Sequence, residues 1–260
     1  MFEKKLIKDK TKIKRLIGLM MYVFLACSII FIIKPIYLIS IAIVLLPTAV
    51  VNFLWLKKSR FKIFIFSIVS AIIFAPPVEL AARLANAWDV QSVLPRPFGI
   101  MPLENILFAF LNFFWVLSFY EYFVDHDRKK KVSKKFKYLV GLYCLMAVII
   151  FSLFFYNYNL VTLNYCVLSV PILILPSLII FYSHPNLLKK TILPTLFFAI
   201  IFFVYETTSL IVGNWWWPGE YLINLNLLGH RFPLDDIVIW YFLSTPTLIG
   251  GYEFFMDDGK

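Results

Sequence analysis

Long apolar runs separated by short charged or polar loops extend over almost the whole chain. A run of about 20 apolar residues is long enough to cross the ~30 Å hydrocarbon core of a bilayer as an α-helix. The pattern therefore predicts an all-α polytopic membrane helical bundle of about eight transmembrane helices. The first run lacks a small-x-small cleavage site, so we expect it to be retained as a helix rather than removed as a signal peptide. The predicted helices span residues 16–33, 36–56, 63–82, 102–124, 138–156, 160–182, 191–212 and 233–255.

Composition and charge place this bundle in a membrane and orient it. Hydrophobic residues make up 61% of the chain, charged residues 15%, and the mean hydropathy is +0.82, which excludes an ordinary soluble domain. The net charge of +10 comes from basic runs between apolar segments, not from a basic face interleaved with aromatics, so nucleic acid is not an expected partner. With eight spans, 21 of the 25 Lys and Arg residues fall on the side of the N-terminus. Both termini are therefore predicted to be cytoplasmic, in the cell membrane.

The chain also contains an internal repeat. Glu79 corresponds to Glu206 and Trp88 to Trp215 at an offset of 127, residues 102–104 correspond to 233–235 at 131, and residues 120–125 correspond to 252–257 at 132. Such fixed offsets are typical of a duplicated architecture. We predict two parallel four-helix repeats, residues 1–132 and 133–260, with a site where they meet.

Five acids are predicted to lie at similar depth on the extracytoplasmic side of the membrane. Carboxyl groups in a membrane are costly and usually functional, and a carboxyl held away from water near other acids can act as a general acid. For the acids that follow a proline by two residues, an ordinary helix start is an equal alternative. The upstream acids lie late in their helices, where the helix dipole disfavours an anion. The five candidates are Glu79, Glu104, Glu206, Asp235 and Asp236.

Aromatic and amide side chains near these acids are candidates for binding a substrate. Aromatic faces stabilise cations, although tryptophans at this depth are also typical of an interfacial belt. Acids in residues 121–125 and 253–257, beside the basic loops, are expected to form interfacial ion pairs. No paired-His, CxxC or Gly-rich phosphate motif occurs, so neither a metal nor a nucleotide or flavin cofactor is expected. The candidate substrate-binding residues are Trp88, Asn105, Tyr205, Asn214, Trp215 and Trp216.

The sequences Pro102-Leu103-Glu104-Asn105 and Pro233-Leu234-Asp235-Asp236, together with the upstream acids and the Trp-rich loops, resemble the membrane-integral, non-flavin lycopene cyclase family of bacterial, archaeal and fungal carotenoid enzymes. The resemblance spans nearly the whole chain. It implies a lycopene cyclase-like lyase or isomerase that needs no cofactor. A carboxyl group would protonate the acyclic end group of a carotenoid such as lycopene, the carbocation would close a ring, and a carboxylate would remove a proton.

By this resemblance Glu104 and Asp235 would donate or accept protons, and the other three acids would tune them. Asn105 stands where the family pattern has an acid, and the second motif has shorter aspartates; these departures imply a different product, a different isoprenoid, or one active half. The expected partners are a hydrophobic isoprenoid or carotenoid, membrane lipid and other carotenoid-pathway enzymes. Alternatives are a hydratase-like isoprenoid enzyme, a proton-coupled membrane carrier and a structural subunit of a membrane complex.

Overall fold

The structure is a computed structural model that describes residues 9–128, 131–162, 167 and 169–257, with the backbone alone at 236 and 237. Helices dominate this part of the chain and are joined by short loops. The eight helices are α1 (Lys10–Ile33), α2 (Tyr37–Leu54), α3 (Arg60–Leu84), α4 (Leu103–Asp125), α5 (Phe136–Tyr156), α6 (Val170–Ser183), α7 (Pro185–Ile211) and α8 (234–257).

Six of the described helices, α1 to α5 and α7, are long and apolar enough to cross a membrane. The prediction of a helical membrane protein is confirmed. The count of eight spans, the two parallel repeats and the cytoplasmic termini stay predictions. The faces of α5 are largely exposed, with Leu139 as its one buried residue, as expected for a helix that contacts lipid.

The predicted sixth helix begins later than the sequence indicated. Residues Tyr158–Val161 form a short 3₁₀ turn instead of the start of an α-helix, and α6 is described from Val170, while 163–166 and 168 lie outside the described residues. The side-chain oxygen of Asn157 accepts a hydrogen bond from the Asn159 N–H at 3.1 Å. Such a local side-chain bond competes with the α-helical pattern and favours a turn.

Wider, π-type turns occur in α3, α4, α6 and α8, and in α3, α6 and α8 they lie beside prolines. In α3 the turn Ser70–Phe74 ends two residues before Pro76, and in α8 the turn Ile237–Ser244 ends two residues before Pro246. A proline has no N–H and its ring clashes with the carbonyl of the preceding turn, so a wider turn lets the helix continue past it. In α3 the helix continues to Glu79.

Two small pairs of antiparallel strands, which the sequence did not predict, order the loops. Strand β1 (Asp89–Val90) pairs with β2 (Trp215–Trp216), and β3 (Asn224–Leu227) pairs with β4 (His230–Pro233). The first pair joins the loop after α3 to the loop after α7, with a further bond from the Gln91 N–H to the Asn214 carbonyl at 3.0 Å. These loops are therefore held against each other.

The start of α1 and the end of α8 lie at the same end of the bundle. Lys12 Nζ donates to the carbonyl of Tyr122 at 2.7 Å, and the Ser133 N–H donates to the carbonyl of Met256 at 3.0 Å. The paired strands lie at the opposite end, where Asn214 Nδ2 donates to Ser40 Oγ at 2.7 Å. The bundle thus has one end that carries both described termini and one end that carries the strand pairs.

Asp127 connects the loop after α4 to the start of α3. Its carboxylate accepts the backbone N–H groups of Lys57 at 2.7 Å, Lys58 at 2.9 Å and Ser59 at 2.7 Å, and the Ser59 hydroxyl at 2.7 Å. Partial burial raises the pKa of Asp127, but these hydrogen bonds outweigh it and bring the pKa below its ordinary value. The ionised carboxylate therefore satisfies donors that no helical carbonyl can reach.

Candidate functional site

An apolar cavity of about 640 Å³ lies between the helices α3 to α8. Most of its wall consists of aliphatic and aromatic side chains, including Phe74, Phe108 and Phe202. One carboxyl group reaches it from α3, Glu79, and one from α7, Glu206. Its volume is typical of pockets that hold small molecules, which occur between the helices of bundles.

Glu79 is held in this cavity by two neutral donors. Its side chain is 5% exposed, Trp88 Nε1 donates to Oε2 at 3.0 Å, and Asn105 Nδ2 donates to Oε1 at 2.7 Å. The wide turn in α3 and the first turn of α4 place Glu79 and Asn105 side by side. Both hydrogen-bond partners of Glu79 are neutral side chains. Glu79 can therefore exchange a proton with a molecule bound in the cavity without breaking an ion pair.

Glu206, the corresponding acid of the second half, also lines the cavity. The hydroxyl of Tyr241 on α8 donates to Glu206 Oε2 at 2.6 Å. Tyr241 itself is 3% exposed and lines the same wall. A phenol hydroxyl can both donate and accept a hydrogen bond, so Tyr241 can stay paired with Glu206 whether that carboxyl group is ionised or protonated.

Three tryptophans pack together beside the carboxyl groups. The rings of Trp88 and Trp215 stack with centroids 6.4 Å apart, and Trp240 meets Trp88 edge-on at 5.4 Å. All three line the cavity. Trp88 and Trp215 are 8% and 9% exposed, so they pack inside the bundle, unlike the interfacial belt that was the alternative. Their faces supply the π surface that a cation requires.

Three predicted substrate-binding residues lie outside the lining of this cavity. Trp216 is 39% exposed, and the amide of Asn214 donates to Ser40. Tyr205 is buried and stacks on Phe108 at 6.4 Å, which places it behind a cavity-lining ring. The alternation of side chains along a strand separates Trp216 from its neighbour Trp215.

The two acids that follow the prolines contact loop backbone instead of the cavity. Glu104 accepts the N–H groups of Val93 and Leu94 at 2.7 Å each and the Ser92 hydroxyl at 2.8 Å. These bonds hold the loop before α4 against its first turn. Glu104 therefore fulfils the alternative considered above, a carboxylate at a helix start that satisfies local donors.

Asp235 repeats this arrangement in the second half. It accepts the N–H of Leu222 at 2.7 Å and that of Ile223 at 3.2 Å. Both acids thus bind the loop that precedes their own helix. The side chain of Asp236, also a candidate, lies outside the described residues.

The repeated acids beside the basic loops form ion pairs, as predicted from the sequence, but these pairs are buried inside the bundle. Tyr120 donates to Glu253 Oε1 and Tyr252 donates to Glu121 Oε1, both at 2.5 Å, so each half supplies a tyrosine to the glutamate of the other. Glu121 and Glu253 are 0% and 2% exposed. The reason is that Lys62, itself 0% exposed, supplies a positive charge from inside the bundle.

Two lysines occupy this buried charge cluster in matching ways. Lys62 Nζ lies 3.1 Å from Glu121 and 3.0 Å from Asp257, and Lys190 Nζ lies 3.3 Å from Asp125 and 3.9 Å from Glu253. Each lysine therefore contacts one acid from each half. Ligand atoms of Glu121, Asp125 and Asp257 lie within 4.8 Å of one another, a spacing that a cation can bridge, and the Lys62 ammonium already contacts two of these acids.

Comparison of the chain with known protein families, curated proteins and solved structures finds no match.

Sequence reasoning missed Tyr241, Trp240 and Lys62 as members of these sites. The sequence contained a signal for each of them: a phenol, an indole or an ammonium group in or beside an apolar run needs a polar partner inside the protein. Lys62 was counted as a topology signal at the start of α3. Arg83, near the end of α3, forms an ion pair with Asp89 at 2.7 Å.

Proposed function

We propose that this protein cyclises the acyclic end group of a carotenoid such as lycopene by acid–base chemistry, without a cofactor. The observation that carries the proposal is the apolar cavity of about 640 Å³ into which the two halves each direct one carboxyl group, Glu79 and Glu206. A hydrocarbon end group is compatible with the apolar lining of this cavity. The resemblance of the duplicated Pro-Leu-acid motifs to the lycopene cyclase family supports the same reaction.

In the proposed reaction one carboxyl group transfers its proton to a carbon of the terminal double bond. The π electrons form the new C–H bond and leave a carbocation, which the neighbouring double bond attacks to close a six-membered ring. A carboxylate then removes a proton from the ring, and the electrons of that C–H bond form the cyclohexene double bond. One proton enters and one leaves, so the product is an isomer of the substrate.

The surroundings of the two carboxyl groups suit this series of reaction steps. A carbocation survives only where water is excluded, and most of the cavity wall is apolar. Stacked Trp88 and Trp215 offer π faces that stabilise a developing positive charge. Glu79 and Glu206 take the donor and acceptor roles, while Glu104 and Asp235 hold the loops.

The proposal includes the architecture. The eight helices cross the cytoplasmic membrane as two parallel four-helix repeats, with both termini on the cytoplasmic side. A carotenoid dissolved in the bilayer reaches the cavity from lipid, delivered by other enzymes of carotenoid synthesis. The reciprocal tyrosine–glutamate contacts and the charge distribution of the loops support this arrangement.

Expression in lycopene-accumulating cells, followed by chromatography and mass spectrometry of the pigments, tests the reaction. We expect a cyclic isomer of unchanged mass with the wild-type protein, and a loss of conversion of at least about 100-fold in Glu79→Gln and Glu206→Gln, the effect typical of removing a general acid or base. Glu220→Gln, which changes an exposed loop carboxyl, is the matched control and keeps conversion. Unchanged lycopene despite wild-type protein in the membrane refutes the proposal.

Two other functions use the same carboxyl groups and are separated by the same samples. Hydration of the carbocation adds the mass of one water to the pigment. A proton-coupled carrier leaves the pigment unchanged and gives proton flux in vesicles that is lost in Glu79→Gln.

A further inference from the structure

We infer that Asn105 is a positioning residue that keeps Glu79 Oε1 hydrogen-bonded in both the neutral and the ionised state of this carboxyl group. The inference rests on the proposed function, because it concerns the same site. It also gives a role to the residue at which this chain departs from the acid of the lycopene cyclase pattern.

The geometry favours one oxygen of Glu79 as the site of its proton. The indole Nε1–H of Trp88 can only donate, and the carbonyl oxygen of a neutral carboxyl group accepts better than its O–H oxygen, so Glu79 Oε2, which the indole contacts at 3.0 Å, is favoured as the carbonyl oxygen. A proton on Glu79 therefore belongs on Oε1. That oxygen lies 2.7 Å from the side-chain amide of Asn105.

An amide matches both states of this oxygen. When Glu79 is ionised, Asn105 Nδ2–H donates to Oε1, as in the structure. When Glu79 is protonated, a half-turn of the amide brings Asn105 Oδ1 to the same place, where it accepts the Oε1–H. Asn105 Oδ1 is buried and, in the part of the chain that the structure describes, has no hydrogen-bond partner, so the rotation breaks no other bond of this oxygen.

Other side chains of similar size lack this property. Leucine offers neither a donor nor an acceptor, and would leave Glu79 Oε1 unpaired in a site where water is excluded. An aspartate at this distance would introduce a second ionisable group that shares a proton with Glu79. The asparagine keeps the charge on one group and leaves the proton free to move to a substrate.

Infrared spectroscopy of the purified protein over a series of pH values tests the inference without any substrate. The protonated-carboxyl band of Glu79 is the one that Glu79→Gln removes. In Asn105→Leu we expect this band to persist to a pH higher by about 1 to 2 units, because the hydrogen bond lost by the ionised carboxylate is charge-assisted and stronger than the one lost by the neutral acid. Asn112→Leu is the matched control: Asn112 also lies on α4 and lines the cavity, and its replacement leaves the band at the wild-type pH.

Asn105→Asp, which is nearly isosteric, is a second variant in case the leucine variant does not fold. Here we expect a protonated band over a wider pH range because two carboxyl groups share one proton. If the Glu79 band of either folded variant titrates at the same pH as in the wild-type protein, the inference is overturned.

Conversion assays separate this inference from the proposed function. In membranes, Asn105→Leu should lower kcat at least about 10-fold with KM unchanged, because the effect is on proton transfer and not on binding. If wild type converts lycopene but the band and kcat of Asn105→Leu are unchanged, the inference fails and the function stands. If wild type converts nothing while the band shifts as expected, the carotenoid substrate is wrong and the role of Asn105 stands.

Discussion

Replacing Lys62 with methionine removes a fully buried ammonium that lies between the two halves. Its Nζ is 3.1 Å from Glu121 Oε1 and 3.0 Å from Asp257 Oδ2. At an effective dielectric constant of about 20, each contact corresponds to about 5 kcal/mol of Coulomb attraction, most of which the desolvation of the charges offsets. The variant keeps the desolvation of the acids but loses the attraction. We therefore expect the free energy of unfolding to fall by about 3 to 5 kcal/mol.

Thermal unfolding of the purified protein in detergent measures this loss. For a chain of this size about 1 kcal/mol corresponds to 2 to 4 °C, so Tm should fall by about 10 °C. Lys190→Met is the matched control: its side chain is 25% exposed and its contacts are longer, 3.3 and 3.9 Å, so the fall should be less than half as large.

A double variant tests the reasoning further. Combining Lys62→Met with Glu121→Gln removes both charges of the ion pair that lies within the first half, and should restore more than half of the lost Tm. A fall in Lys62→Met no larger than in Lys190→Met would refute the view that burial makes Lys62 the stronger partner.

Two further predictions concern Asp127 and Glu104, the carboxylates that bind backbone N–H groups of loops. Asp127→Ala should lower the free energy of unfolding by about 1 kcal/mol, the usual effect of losing a helix-start acceptor. Because the pKa of Asp127 is lowered in the folded protein, this contribution is present at neutral pH and disappears as the pH falls below about 4, so Tm curves of variant and wild type should converge there. In Glu104→Ala the N–H groups of Val93 and Leu94 should exchange with deuterium faster; unchanged exchange would contradict the loop-holding role of Glu104.

Much of the helical architecture was predictable because a membrane leaves few choices. In hydrocarbon every backbone N–H and C=O must be bonded within its own helix, so an apolar run of sufficient length predicts a helix. The predicted ranges 36–56 and 102–124 match α2 and α4 within two residues at each end. The sixth helix was placed wrongly at its start because Asn157 forms a local turn that hydrophobicity does not reveal.

The sequence by itself determined that this chain is a helical membrane protein and that Glu79 and Glu206 are unusual acids. Only the tertiary structure decided which acids face the cavity, because a carboxyl group is placed by its partners, and these are distant in the chain. Glu104 finds backbone N–H groups in the preceding loop, whereas Glu79 finds Trp88 and Asn105. The charge count assigned Lys62 to a loop. In the structure it is buried, because it forms ion pairs with two acids about 60 and 195 residues away in the chain.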